Sequence, residues 1–243
     1  MPQNAFSYAV DTSSGVTLSV SNDRSQGVAS MADGELELMI HRRVLCDDNK
    51  GVGEPHNESG LSGLGLIVRG MHRVSIDPAA GAGAARRGAV ADLLYRPVAN
   101  FAGLAPGTTP AAWIAAHAAQ RTGLTAPLPR NVHLLTVHSW SPTQLLLRLS
   151  HSYEAGEDAA LATPATVGLA TLFSGINIES CVETTLTANQ RLDAVPKIVY
   201  ALDGGANVTM PVVGAPPQGP ALQVTLLPME IRTWLCVVTA WGM

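Results

Sequence analysis

The chain has 243 residues, 47% of them hydrophobic, enough for one large domain or two ordinary ones with a real core. Only 14% are charged, 15 basic against 19 acidic, and a formal net charge of -4 offers no positive field to a phosphate backbone, which argues against nucleic-acid binding. The longest apolar runs, Leu145 to Leu147 and Leu235 to Val238, fall far short of the roughly 20 residues a helix needs to cross a bilayer, so no membrane-spanning helix is predicted.

The first thirty residues contain no basic segment followed by an apolar one, so a secretory leader, if the protein uses one, is expected upstream of Met1. From Val16 the pattern is β: Val16, Leu18 and Val20 alternate with Thr17, Ser19 and Ser21, and Asp33-Gly34 marks the tight turn of a hairpin. Beyond that turn Leu36, Leu38 and Ile40 share one strand face, and the same period carries Arg42 onto it. A buried guanidinium is costly without a carboxylate or carbonyl to receive its fork of donors. Arg42 is therefore read as one half of a structural ion pair, with Asp23, Asp47 and Asp48 as candidate partners. Direct contact with a ligand by the His41-Arg42-Arg43 and Asp47-Asp48 cluster is the competing reading.

Residues 49 to 65 are rich in Gly, Asn, Ser and Glu, as a surface loop would be, and Leu66 to Ile76 resumes the alternation. Between residues 78 and 128 the composition shifts to Ala, Gly and Pro. Within that insertion one short helix is predicted, capped by Thr109, with Pro110 in its first turn and Gly123 after its last residue. From Val132 on, strand character returns in Val132 to Trp140, Gln144 to Ser152, Ala165 to Leu169, Ile176 to Leu186, Leu222 to Leu227 and Glu230 to Trp241, interrupted by a Pro/Gly-rich stretch at 203 to 220. Strands at these spacings indicate a sandwich. The chain thus reads as mainly β, with a domain boundary near residue 129.

Self-sufficient catalysis finds no support in the motifs. There is no Gly-x-Ser-x-Gly elbow and no His-Glu-x-x-His, and Gly60 to Gly65 lacks the dinucleotide-binding spacing. His133 and His138, five residues apart in a strand, should point to opposite faces, so no metal site is expected. The acid pairs Asp47-Asp48 and Glu157-Asp158 read as turn or capping groups, and glycoside hydrolysis needs carboxylates placed across a sugar ring. Cys46, Cys181 and Cys236 are too far apart for a zinc ribbon or redox motif and allow one internal disulfide, its pairing open. Asn57-Glu58-Ser59 and Asn207-Val208-Thr209 are glycosylation sequons, although such triplets also arise by chance. A stand-alone carbohydrate-binding or purely structural sandwich is compatible with the strand content. Aromatics amount to only 5%, however, with Trp113, Trp140, Trp234 and Trp241 spread along the chain and no sugar-stacking platform evident.

Several blocks carry a family resemblance. They are Asn22-Asp23-Arg24-Ser25-Gln26-Gly27, then Asp33-Gly34-Glu35-Leu36-Glu37-Leu38-Met39, then His41-Arg42-Arg43 with Asp47-Asp48 and Gly51-Val52-Gly53-Glu54-Pro55. Farther on stand Val132-His133-Leu134-Leu135-Thr136, Gly156-Glu157-Asp158, Glu183-Thr184-Thr185-Leu186 and Leu227-Pro228-Met229-Glu230-Ile231-Arg232-Thr233. In order and spacing these resemble the carboxy-terminal β region of the class II α-mannosidases, glycoside hydrolase family 38, and within them the lysosomal branch. The resemblance implies part of a mutarotase-like supersandwich over residues 1–128, insertion included, followed by a smaller immunoglobulin-like sandwich over 129–243. It implies that the nucleophile and the zinc ligands lie in an amino-terminal catalytic domain outside this chain, which would then frame the site and be inactive alone. Arg43, Asp47 and Asp48 are the residues that the family pattern places toward substrate. It further implies mannose-containing glycans as substrates and a lysosomal, vacuolar or secreted location.

Overall fold

The computed structural model describes residues 1–53, 55–101, 103–117, 122–196, 199–201, 207–209 and 215–241, the side chains of 199–201, 207–209 and 240–241 excepted. The chain divides into two compact units, Met1–Ala99 and Asn100–Met243. This division falls earlier than the expected boundary near residue 129, because Leu124 and Leu128 already pack against the core of the second unit.

In the first unit the strands are β1 (Pro2–Gln3), β2 (Phe6–Asp11), β3 (Val16–Asn22), β4 (Gln26–Ala29), β5 (Glu37–Met39) and β6 (His72–Pro78), followed by helix α1 (Ala82–Leu94). They form two three-stranded antiparallel sheets, β1-β4-β5 and β2-β3-β6. The turn from β2 to β3 is built by Asp11, whose carboxylate accepts from the Ser13 amide (2.9 Å) and from the Ser13 and Ser14 hydroxyls (both 2.6 Å). Gly15 closes it at φ 69°, a backbone angle that side chains with a Cβ adopt only under strain. The Asp33-Gly34 hairpin is present, but its arms are β4 and β5, since β3 pairs with β2 and β6.

The alternation along β3 is real, and its sides are the reverse of a simple polar-out reading. Thr17, Ser19 and Ser21 are buried, whereas Val16 is 37% exposed and Leu18 half-buried. The cause is α1, a helix that the sequence reading did not locate. Its small residues Ala82 and Gly83 are buried, and Arg86 lies 3.9 Å from the Tyr8 ring centroid on the sheet face that Tyr8 shares with its cross-strand partner Ser19. Among the described residues no helix lies on the opposite face, which carries Val16, Leu18, Val20, Val74 and Ile76 and buries Val20. Val74 and Ile76 are 63% and 73% exposed.

The second unit opens with α2 (Pro110–Ala116), where the Thr109 side chain accepts from the Ala112 amide at 3.2 Å and Pro110 occupies the first turn, as expected. It stops at Ala116, short of the expected end at 122; residues 118–121 lie outside the described ones. Strands β7 (Val132–Ser141), β8 (Gln144–His151), β9 (Ala165–Gly168) and β10 (Ile176–Thr184) follow. A short β11–β12 pair (Val199–Ala201 with Asn207–Thr209) precedes β13 (Gln223–Leu226) and β14 (Ile231–Trp241). A four-stranded sheet, β10-β14-β8-β7, faces the β13-β9 pair across one core. Leu145, Leu147 and Leu149 of β8 and Trp234 and Cys236 of β14 are all 0% exposed, each at alternate positions on the inner face. Burying each such side chain stabilises by about 1.5–3 kcal/mol, so this inner layer dominates the unit. The chain is mainly β, as expected, and a β sandwich.

Candidate functional site

Each expected site residue occupies a definite place. β5 ends at Met39, so the alternation that buries Leu36 and Leu38 in part stops there; Ile40 is 65% exposed and Arg42 is exposed in irregular chain. Among the described residues Arg42 has no ion-pair partner. Asp23 pairs instead with Arg24 (3.3 Å), and the Met71 backbone N–H, with Arg24 second, holds its carboxyl below the usual carboxylate value. The proposed Arg42–Asp23 pair is thus corrected: a face assignment is valid only while the strand continues. Accordingly Arg42→Lys is expected to change stability by no more than about 0.5 kcal/mol in chemical denaturation, as for an exposed side chain.

Arg43 is exposed and its Nε–H donates to Asn57 Oδ1 at 2.6 Å, bracing the loop that follows. Asp47 accepts from the Asn49 amide and Asp48 from the Lys50 amide, the latter at 3.0 Å, so both carboxylates cap backbone turns. Glu157 and Asp158 behave alike. Asp158 accepts from the Leu161 and Ala160 amides at 2.8 and 2.9 Å, which keep its carboxyl below the usual range. Asn207 lies in β12, and its side chain is outside the described residues.

The two strand histidines do not point to opposite faces. A bulge in β7 puts His133 opposite Ser150 and His138 opposite Leu146, so they share a face of the sheet. What separates them is distance, four residues of strand or roughly 13 Å at the usual rise. His133 is partly buried, and that burial lowers its pKa. Among the described residues no three His, Cys, Asp or Glu side chains converge as metal ligands would.

A cleft of about 1310 Å³ opens between the two sheets of the first unit, lined by residues including Phe6, Val16, Leu18, Val28 and Leu36. Asp11 is the carboxylate at its β2 end, held well below the usual range by the Ser13 and Ser14 hydroxyls and then by their amides. The cleft is mainly apolar and shares Val16 and Leu18 with the face of β3 that lies away from α1. It offers contact surface and no paired acid and base.

A buried arginine does exist, on β14. Arg232 is 2% exposed and forms a two-pronged pair with Glu183 of β10, Nε–Oε1 2.8 Å and Nη2–Oε2 2.6 Å. Its remaining donors reach the Thr225 carbonyl of β13 (3.0 Å) and the Ala215 carbonyl (2.6 Å), so one side chain ties both sheets together. The signal was in the sequence: Arg232 keeps the two-residue period of Trp234, Cys236 and Val238, all buried. Next to it, Cys181 and Cys236 sit directly opposite each other on β10 and β14 and form a disulfide. Cys46 is free and exposed.

A sequence model of the glycosyl hydrolases family 38 C-terminal beta sandwich domain matches residues 131–234, most of the sandwich. The chain is 41% identical over 240 residues to the lysosomal alpha-mannosidase of Homo sapiens, and 41% over 241 residues to that of Bos taurus. It is 35% identical over 242 residues to the alpha-mannosidase of Canavalia ensiformis. These alignments cover 98%, 98% and 96% of the chain but only 23%, 23% and 24% of the relatives, so the chain spans about a quarter of the length of the proteins it matches. From sheet order, buried core and aligned length together, residues 131–234 match the family 38 C-terminal β sandwich domain, and the chain matches the C-terminal region of α-mannosidases.

Proposed function

We propose that this chain is the carboxy-terminal, non-catalytic part of a retaining α-mannosidase that removes terminal α-mannosyl residues from glycoprotein glycans. In this reading it packs on a catalytic domain of the same enzyme and frames its active site. The observation that carries the proposal is the combination of near-complete coverage of this chain with coverage of only 23% of its relatives. The exposed apolar side chains of Val74 and Ile76 on β6, beside Val16 on β3, support it, since clustered exposed apolar side chains mark a contact surface. Retaining hydrolysis needs one carboxylate as nucleophile and a second group to protonate the leaving oxygen. The capped acids Asp47, Asp48, Glu157 and Asp158 do not form such a pair with one another. The zinc of the intact enzyme, which would grip sugar hydroxyls, likewise finds no converging ligand set among the described residues, so no step is assigned to it here. Arg43, Asp47 and Asp48, in the loop after β5, are the residues of this chain that would approach substrate. A lysosomal, vacuolar or secreted location goes with this reading, in keeping with its likeness to the lysosomal alpha-mannosidases of Homo sapiens and Bos taurus.

The test is to purify the chain alone, titrate zinc calorimetrically and assay a chromogenic α-mannoside. No stoichiometric zinc binding and no turnover above background are expected. Either one would overturn the reading, and saturable mannose binding by the isolated chain would favour a stand-alone carbohydrate-binding module instead.

A further inference from the structure

We propose that Cys181 is a site of S-thiolation, the sulfur of its disulfide at which a low-molecular-weight thiol such as glutathione enters the folded chain. The two ends of the bond stand in different surroundings. Cys181 is partly exposed on β10, which among the described residues is an edge strand in the order β10-β14-β8-β7. Cys236 is 0% exposed on β14, between Trp234 at 0% and Val238 at 2%. Its cross-strand neighbour on the far side, Leu145 of β8, is also 0% exposed.

Thiol–disulfide exchange is a displacement at sulfur, so the outcome depends on which sulfur a thiolate can reach from behind, opposite the one that leaves. The bond bridges β14 to β10, and the space behind Cys236 is therefore filled by β8 and the core. Behind Cys181 the sheet ends. The two sulfurs thus take different roles in the folded chain: Cys181 is attacked and Cys236 leaves. In that step a bond forms between the thiol's sulfur and Cys181 Sγ, and the Sγ–Sγ bond breaks. Cys236 Sγ departs with the electron pair and takes up a proton. The entering thiol is oxidised as Cys236 is reduced, so no outside oxidant is required. The Cys236 thiol stays beside the adduct, and its attack on Cys181 Sγ expels the small thiol again, which makes the modification reversible.

The experiment uses two full-length chains that share Cys46→Ser, one with Cys236→Ala and the other with Cys181→Ala, each checked for folding by tryptophan fluorescence. Oxidised glutathione is added without denaturant. The remaining thiolate attacks it, one glutathione leaves, and no neighbouring thiol can undo the adduct. Cys181 is expected to be glutathionylated at least about tenfold faster than Cys236, with the difference lost in urea that unfolds both chains. The oxidised Cys46→Ser chain, with both other cysteines in place, gives a second reading that does not depend on the variants folding. It is mixed with excess reduced glutathione, quenched in acid and mapped by peptide mass spectrometry. The adduct is expected on Cys181 and not on Cys236. Comparable native rates for the two cysteines, or an adduct on Cys236 in the disulfide-bonded chain, would overturn the proposal.

Discussion

Glu183→Ala is expected to destabilise the second unit by about 3–5 kcal/mol, the loss seen when one partner of a buried ion pair is removed and the other charge is stranded. Arg232 is 2% exposed and Glu183 only 11% at the side chain, so water cannot take over the carboxylate's role without opening the sandwich. The carbonyls of Thr225 and Ala215 satisfy donors without neutralising the charge. Arg232→Lys should also be costly, because an ammonium group cannot reproduce the planar fork across Glu183 and two carbonyls. The double variant Glu183→Leu with Arg232→Met removes both charges and should recover most of the loss, since a buried pair often contributes little net stability over apolar residues of similar volume. Urea unfolding followed by tryptophan fluorescence reads the second unit directly, since Trp113, Trp140, Trp234 and Trp241 all belong to it. A loss under about 1 kcal/mol for Glu183→Ala would mean the pair is wetter than its geometry indicates.

Removing the disulfide should have a similar effect by another route. The bond closes a loop with a sequence separation of 55, for which constraint of the unfolded chain contributes about 4 kcal/mol by the chain-entropy estimate. The double variant Cys181→Ala with Cys236→Ala is expected to lower the melting temperature of the second unit by about 10 °C, given the usual conversion for a domain of this size. Adding reductant to the wild-type chain should lower it similarly and leave the double variant unchanged. Thiol titration provides the control: one reactive thiol, Cys46, in the folded oxidised chain, against three after reduction and unfolding. Equal melting of the wild type with and without reductant would show that the bond is not formed in solution.

The sandwich was legible in the sequence because its strands bury one face against one core. The two-residue period of Leu145, Leu147 and Leu149, or of Trp234, Cys236 and Val238, therefore survives into the structure unaltered. α1 was not legible. Gly81 caps it with no side-chain hydrogen bond, its first turn has no acid and its last no base, and its Gly/Ala-rich stretch shows no apolar stripe. Packing on Thr17, Ser19 and Ser21 holds it in place, and short-range signals do not report that contact. The Arg42 assignment failed through extrapolation past the end of β5, whereas the same reasoning, applied to Arg232 inside a long strand, would have found the buried pair. As for Arg43, Asp47 and Asp48, the sequence conveys their loop setting but not what faces them, because that surface would come from another part of the enzyme.

The place of β14 in its sheet has a consequence for how the chain is made. This last strand of the described residues lies between β10 and β8, so the centre of the sheet is synthesised after both of its neighbours. β7 and β8 can pair as a hairpin once they leave the ribosome, but β10 must wait for β14. At about 5–20 residues per second, the separation of 55 between Cys181 and Cys236 leaves Cys181 without its partner for roughly 3–11 s. During that interval the other cysteine of this chain already translated is Cys46, which the finished fold leaves exposed and free. The order of synthesis therefore offers Cys181 the wrong partner first, and correct pairing depends on thiol–disulfide exchange after β14 emerges.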